Sequence, residues 1–457
     1  MTRLPLPLLT LSVTLLTAFG CSSETTETTS NTPNVILIFC DDLGYADLSC
    51  YGATDIATPN LDRMAAEGIR FTNFYAADSV CSPSRSGLMT GCYPPRVGFT
   101  GNVHPGLSFG LHPDETTIAE IFKQAGYSTG IFGKWHLGHM DPLLPTKQGF
   151  DESLIIPYSH DMYKHAPWNP ERTAQFPLDY IPLMSGNKTV RELQGLDDYS
   201  ELTTLFHDAA VSFIREQADN NPFFIYLPQA MPHLEIEPPS DWKGETERGP
   251  YGDVVAELDD AMGRLMDVLK ETGVDQNTLI VFSSDNGPAN IYQKPTFPGG
   301  KVGPLSGRKG SYQEGGFRVP GIIRWPAKIP SGIESDAMAS TIDLLPTCAS
   351  ILGVPLPDTQ IDGIDLSTFL MDPTKATPPR DEFLYFKRGQ LRAIRSGDWK
   401  LDPGKKKLFN LREDPGELQD LYSRQTEMAE RLSRLATDRE NEVLSNARPI
   451  LDLAEAN

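Results

Sequence analysis

Several short stretches of the chain carry residue types that can act together on an anion. Cys81 precedes Ser82-Pro83-Ser84-Arg85. The proline is placed to open a helix, and a thiol at a helix start is favoured as thiolate by the helix dipole. Asp41-Asp42 follows directly on the apolar run 35–39, and Asp285-Asn286 follows on the run 278–282. Together these four side chains offer oxygen donors that suit a hard divalent cation, calcium or magnesium, rather than zinc. Alone, an Asp-Asp pair after a strand reads more readily as a helix cap or a solvated turn. Cationic and basic groups are spread through Gly133-Lys134-Trp135-His136-Leu137-Gly138, Met231-Pro232-His233 and Ser306-Gly307-Arg308-Lys309-Gly310. One such lysine is usually a solvated surface group, and one such histidine is usually structural. A cation and several lysines around one nucleophile would neutralise charge developing on a reacting anion. The formal net charge of -21 sharpens the point. Its far field repels nucleic acid and anionic membranes, so an anionic ligand needs a local basic pocket against the global sign.

These groups must be held by an alternating strand and helix pattern. The run 35–39 (Val-Ile-Leu-Ile-Phe) reads as a strand buried on both faces. A helix is expected over 59–67, with Thr58 as N-cap and Pro59 at its first position. Thr117 and Glu120 form a capping-box pattern, Gly126 ends that helix, and a strand is expected over 128–132. Helical stretches at 201–217 and 253–271 precede strands at 222–227 and 278–282. The fold class is therefore α/β: a large, mostly parallel sheet with helices on both faces, whose ligands sit beyond the carboxyl ends of the strands. From about residue 372 the pattern changes to a Pro-rich linker, short antiparallel strands at 383–386, 391–394 and 399–401, and a last helix near 427–442.

The run Cys81-Ser82-Pro83-Ser84-Arg85-Ser86-Gly87-Leu88-Met89-Thr90-Gly91 resembles the activation motif of the type I sulfatases, Cys-x-Pro-Ser-Arg followed by Thr-Gly. The further motifs, in order from about residue 34 to 422, are similar to those of arylsulfatase A and its relatives in the alkaline phosphatase superfamily. The resemblance implies that a maturase oxidises Cys81 to formylglycine. One hydroxyl of the hydrated aldehyde then attacks sulfur, and loss of the other proton expels sulfate by carbon–oxygen cleavage. It also implies that Asp41, Asp42, Asp285 and Asn286, with the modified Cys81, hold one divalent ion, usually calcium. Asp285 would help activate the attacking hydroxyl, and Arg85 would steady the hydrate. Lys134 would contact a sulfate oxygen, His136 would be the base toward the second hydroxyl, and His233 would lie near the bridging oxygen. Lys309 would bind sulfate and assist the leaving group. Gly149-Phe150-Asp151 and Ile156-Pro157-Tyr158-Ser159-His160-Asp161 look like the stretch that brings a serine, here Ser159, to the sulfate. The expected substrate is an organic sulfate monoester, a sulfated carbohydrate above all. A phosphate or phosphonate ester hydrolase of the same superfamily and a non-catalytic sulfated-glycan binder are the competing readings. Residues 162–201 carry no motif of the family. Insertions over the site set leaving-group choice in this fold, so the linkage and any exo or endo preference stay open.

Residues 1–21 read as a signal peptide of lipoprotein type, ending Ala18-Phe19-Gly20-Cys21, with Cys21 as the lipidation point and membrane tether. Ordinary cleavage nearby and a free periplasmic protein is the other reading. Residues 22–33 are a Thr/Ser/Glu-rich tether, 34–371 the catalytic domain, and 372–457 a small α+β subdomain. Cys40, Cys50, Cys92 and Cys348 remain for disulfides in an exported chain, with no connectivity set by spacing.

Overall fold

The apolar run after Asn34 becomes the strand Asn34–Cys40, buried along its whole length. Its alternate side chains go to opposite faces, as the pleat requires. Ile36, Ile38 and Cys40 enter one core, and Val35, Leu37 and Phe39 the other. In the computed structural model, which describes residues 1–2, 32–166, 169–289, 293–294 and 297–455, this strand lies near the middle of a ten-stranded sheet. The strand order is Ile333–Ser340, Ile69–Tyr75, Arg318–Arg324, Thr278–Ser284, Asn34–Cys40, Phe223–Pro228, Ser128–Lys134, Glu152–Ile156, Ile181–Ser185, Lys188–Leu193. The five strands from Thr278–Ser284 to Glu152–Ile156 pair in parallel. Arg318–Arg324 runs antiparallel to both of its neighbours, so the sheet is parallel at its centre and mixed toward its edges. Residues 3–31, with Cys21 and most of the expected tether, lie outside the described residues.

Helices cover both faces. Pro59–Ala66, Leu202–Gln217 and Pro250–Glu271 contribute to one core, and Cys81–Thr90, Ile118–Gln124 and Leu344–Leu352 to the other. The capping box at Thr117 forms in full: Thr117 Oγ1 accepts from the Glu120 backbone N–H, and Glu120 Oε2 accepts from that of Thr117. Thr58 does not cap as expected. It stands at the N-cap position, yet its hydroxyl accepts from the Ser49 N–H at 2.8 Å, which ties the helix to the preceding loop instead.

The stretch without a recognised motif builds the edge hairpin Ile181–Ser185 and Lys188–Leu193, turning at Gly186 with φ 56°. The C-terminal strands form the expected meander, Glu382–Lys387, Gln390–Ser396, Trp399–Asp402, with Lys407–Asn410 as a fourth. The helix Thr426–Ser445 covers it through Ala429, Leu432, Ala436 and Val443. Tyr75 and Phe317 of the large-sheet region belong to the same core cluster. No disulfide forms among the described residues: Cys40, Cys50, Cys81, Cys92 and Cys348 are free thiols. No described helix is long and apolar enough to cross a membrane.

Candidate active site

The carboxyl ends of two neighbouring central strands set the acidic floor of the site. The register pairs Cys40 with Ser284, so Asp41-Asp42 and Asp285-Asn286 leave the sheet side by side. The Asp285 N–H donates to the Cys40 carbonyl at 2.9 Å, and the Asp42 N–H to Asp285 Oδ1 at 3.2 Å. Asn286 Nδ2 donates to Asp42 Oδ1 at 2.7 Å. Asp42 takes a left-handed backbone, φ 66°, which a short polar side chain tolerates. All four residues are buried.

Cys81 opens the helix Cys81–Thr90, as its sequence context predicts. Its Sγ lies 3.5 Å from Asp41 Oδ1. Arg85, one turn on, is fully buried. It donates to Asp285 Oδ2 from Nε at 3.1 Å and from Nη2 at 2.7 Å, and to the Lys134 carbonyl at 3.0 Å. With both Arg85 donors on Oδ2 and the Asp42 N–H on Oδ1, the orientation of the Asp285 carboxylate is fixed.

Lys134 ends its strand with Nζ 2.6 Å from Asp41 Oδ2 and 2.5 Å from Ser159 Oγ. The motif glycine before it is required: at Gly133 a Cβ would lie 1.8 Å from the Pro228 carbonyl oxygen. His136, at φ 61°, turns Nε2 to the Val103 carbonyl at 2.9 Å. A carbonyl only accepts, so Nε2 carries the proton and Nδ1 keeps its lone pair. That Nδ1 is buried with no hydrogen-bond partner. His233 follows the strand Phe223–Pro228, and Asp41 N–H donates to Met231 O at 3.2 Å, which holds that loop to the floor. His233 Nδ1 donates to the Leu234 carbonyl at 2.7 Å, and Nε2 lies 3.7 Å from Asp42 Oδ2. Lys309 Nζ is 2.6 Å from Asp42 Oδ1. The structure thus brings together Asp41, Asp42, Cys81, Arg85, Lys134, His136, Ser159, His233, Asp285, Asn286 and Lys309.

The electrostatics follow from burial and pairing. Burial alone would raise the Asp41 carboxyl, but Lys134, His233, Arg85 and Lys309 hold it well below the usual carboxylate range. Burial would lower Lys309, yet Asp42 and its neighbours hold it well above its ordinary value. Burial, then Lys134 and Arg85, push His136 well below the usual imidazole range, so it is a neutral base. The free thiol does not behave as its helix position suggests. Burial pushes Cys81 up strongly, and Lys134 and Lys309 do not offset burial together with Asp41 and Asp285. The thiol is protonated, not a poised thiolate, because desolvation outweighs the helix dipole.

The donor set fits a hard cation. Asp42 Oδ2 and Asn286 Oδ1 are buried without a hydrogen-bond donor, and an unsatisfied buried acceptor costs about 1–3 kcal/mol. A divalent ion satisfies such oxygens. Ligand-capable atoms of Asp41, Asp42, Cys81 and His233 lie within 4.8 Å of one another. His233 thus lies in the ligand cluster, which sequence reasoning did not foresee. Asp285, expected as a ligand, has its carboxylate engaged by Arg85 and the Asp42 N–H.

Two further contributors were missed. Asn102 Oδ1 accepts from the Ser82 N–H at 3.1 Å, so a distant loop caps the Cys81 helix, and Val103 orients His136. No local pattern announces them. Among the other histidines, His160 is buried against His233, with ring centroids 5.8 Å apart, His139 packs on Tyr158, and His165 is exposed.

The sulfatase family model matches residues 33–354, and that of the N-sulphoglucosamine sulphohydrolase C-terminal region matches 308–442. Arylsulfatase A of Homo sapiens is 38% identical over 388 residues, covering 80% of this chain and 74% of that protein. N-acetylgalactosamine-6-sulfatase of Sus scrofa is 37% identical over 379 residues, covering 80% and 71%. Among solved structures, Ps i-CgsB in complex with k-i-k-neocarrahexaose has a TM-score of 0.79 at 31% identity, covering 93% of this chain and 96% of that one. PsFucS1 sulfatase from Pseudoalteromonas sp. has a TM-score of 0.81 at 28% identity, covering 92% of each.

Proposed function

Since this chain belongs to the sulfatase family and is a hydrolase of organic sulfate esters, we propose that its substrate is a sulfated carbohydrate. Relatives support this: one is named for N-acetylgalactosamine 6-sulfate chemistry, and Ps i-CgsB was solved with a neocarrahexaose. The observation that carries the site reading is the convergence of Cys81, the carboxylate floor and the lysines. Cys81 Sγ stands 3.5 Å from Asp41, and Lys134 and Lys309 each reach a floor carboxylate at 2.6 Å.

In this reading Asp41, Asp42, Asp285 and Asn286 hold one divalent ion, with His233 beside them. When bound, that ion, calcium on family precedent with magnesium equally suited to the ligand type, would neutralise charge on the sulfuryl oxygens. When a maturase has converted Cys81 to formylglycine, its hydrate supplies the attacking hydroxyl and an exit that spares a second attack at sulfur. Arg85 orients Asp285 and steadies the hydrate. Lys134, with Ser159 held 2.5 Å from its ammonium, grips a sulfate oxygen. His136, its proton fixed on Nε2 by Val103, takes a proton at Nδ1 from the second hydroxyl. His233 and Lys309 serve the bridging oxygen, Lys309 by donating to the departing alkoxide.

The same reading makes the protein a bacterial export product. The segment ending Gly20-Cys21 supports a signal peptide with Cys21 lipidated, which would tether the enzyme on the periplasmic or outer-membrane side. The test is a panel of defined sulfated mono- and oligosaccharides with protein matured in a maturase-competent host, reading free sulfate. Release from at least one sulfated sugar, faster than from its phosphate counterpart, is the expected result. Turnover confined to phosphate or phosphonate esters would sink the reading. Active protein whose residue 81 is wholly thiol would sink the nucleophile.

A further inference from the structure

The loop that carries Lys309 is pinned at both ends. On the site side, Lys309 N–H donates to the Pro288 carbonyl at 3.1 Å and Gly310 N–H to that of Ser79 at 2.8 Å. Gly287 N–H donates to the Gly316 carbonyl at 3.0 Å. This approach demands glycine, because a Cβ on Gly287 would lie 1.8 Å from the Gly315 carbonyl oxygen. On the other side the loop is tied to the C-terminal sheet. Glu314 is fully buried. Its carboxylate accepts from Tyr75 Oη at 2.6 Å, Tyr385 Oη at 2.7 Å and Lys400 Nζ at 3.0 Å. Its backbone N–H donates to Glu417 Oε2 at 2.7 Å, and Glu417 Oε1 pairs with Lys400 at 3.0 Å. Lys400 also donates to the Tyr312 carbonyl at 3.0 Å, and Ser306 Oγ to that of Gly416 at 2.5 Å.

A buried ion cluster of this kind is a poor device for stability alone. Desolvating its charges costs about what their attraction returns, and apolar residues of the same volume often do as well. What it supplies is a fixed direction, since the Glu314 carboxylate is held by two tyrosine hydroxyls as well as Lys400, and its backbone N–H by Glu417. Burial would raise the Glu314 carboxyl, but Lys400, then Arg395 and Arg318, hold it below the ordinary range, so Glu314 stays ionised. The segment in question, 308–354, is also where the two family matches overlap.

We propose that Glu314 and Lys400 are positioning residues that lock the 306–316 loop onto the C-terminal sheet and thereby hold Lys309 at Asp42. The C-terminal sheet is then part of the machinery that delivers a cation to the site. The proposal rests on Lys309 being a working residue, as read above.

The test is a double-mutant cycle on the full, matured chain, with the sulfated monosaccharide that it turns over fastest as probe, since its alkoxide needs the Lys309 proton. Glu314→Gln should lower kcat/KM about ten-fold or more when Lys309 is present, and less than about three-fold on a Lys309→Ala background, since the two changes act through one group. Lys400→Met should repeat this pattern, and Lys400→Arg, which keeps the charge, should restore most of the loss. Equal fold losses on both backgrounds, or no loss from either substitution, would overturn the proposal. If Lys309→Ala itself costs nothing, the reading of Lys309 falls, and the positioning role falls with it. If Lys309→Ala is costly and the cycle is additive, only the positioning role falls. Should Glu314→Gln fail to fold, Tyr385→Phe removes a single donor to Glu314 and enters the same cycle, with a smaller loss of about three-fold expected only when Lys309 is present.

Discussion

The acidic floor and the basic rim of the site are built in different ways. Asp41, Asp42, Asp285 and Asn286 sit at the ends of adjacent parallel strands and are at most 1% exposed. Their spacing is inherited from sheet register, and Arg85 interlocks them. His233 and Lys309 come from loops, with side chains 8% and 18% exposed. Their positions depend on buttresses elsewhere: Met231 held by the Asp41 N–H in one case, the Glu314 cluster in the other. Lys134 belongs to both, a rim cation mounted on a strand end. The contrast teaches that floor substitutions should cost stability and activity together, while rim substitutions should cost activity almost alone.

Cys81→Ala gives the largest expected effect and tests the contrast from its exception. The residue lies within the buried floor, yet its expected contribution is chemistry. Turnover should fall by at least about 10⁴-fold, the scale of losing a covalent nucleophile, while the thermal midpoint moves by only a few degrees. A variant that retains activity would break the account of the nucleophile. Next comes removal of the ion. Chelation of the matured enzyme should lower kcat by about 10²–10³-fold, with recovery on adding calcium or magnesium back, because the stabilising charge is lost where charge develops. An unchanged rate after exhaustive chelation would argue against a cation on the orphaned Asp42 and Asn286 oxygens.

Arg85→Met separates floor from rim by stability. It leaves Asp285 and Asp41 buried without their guanidinium, and breaking one side of a buried pair costs about 3–5 kcal/mol. Denaturant unfolding should show that loss, whereas Lys309→Ala in the same assay should cost clearly less, because the lysine is 18% exposed and Asp42 keeps its Asn286 donor. Similar shifts in both would erase the distinction.

The places of the floor residues at strand ends were legible because strand ends are local, while their meeting in one site was implied by the family resemblance. An acidic pair directly after an apolar run can only leave the sheet at a strand end, and Cys81 with Pro83 could only open a helix. The strands and the C-terminal meander were legible for the same reason. What escaped was set by distance in sequence. Asn102 caps Ser82, and Glu314 meets Lys400 across 86 residues. Thr58 carries the right residue type for a cap but finds Ser49 first. The edge hairpin had a usable signal, Ser185-Gly186-Asn187-Lys188 between two short runs, which was passed over for want of a family motif. The thiol was misjudged because a helix start says nothing about burial: Cys81 is at 0% exposure, and desolvation decides its protonation.

The smallest expected effect is the most discriminating for the rim. Lys309 can serve the reaction by binding sulfate or by protonating the departing oxygen. A nitrophenolate leaves without help, while a sugar alkoxide, far more basic, needs a proton. Asp42 and its neighbours hold the ammonium well above its ordinary value, so the group is charged across the working range and has a proton to give. If it donates that proton, Lys309→Ala should lower kcat/KM for a sugar sulfate by about ten-fold more than for nitrophenyl sulfate, the difference being the part of the barrier that protonation removes. If binding is its whole contribution, both substrates lose equally, because the sulfate group is the same in each. Lys309 would then act purely as an electrostatic clamp on the sulfate.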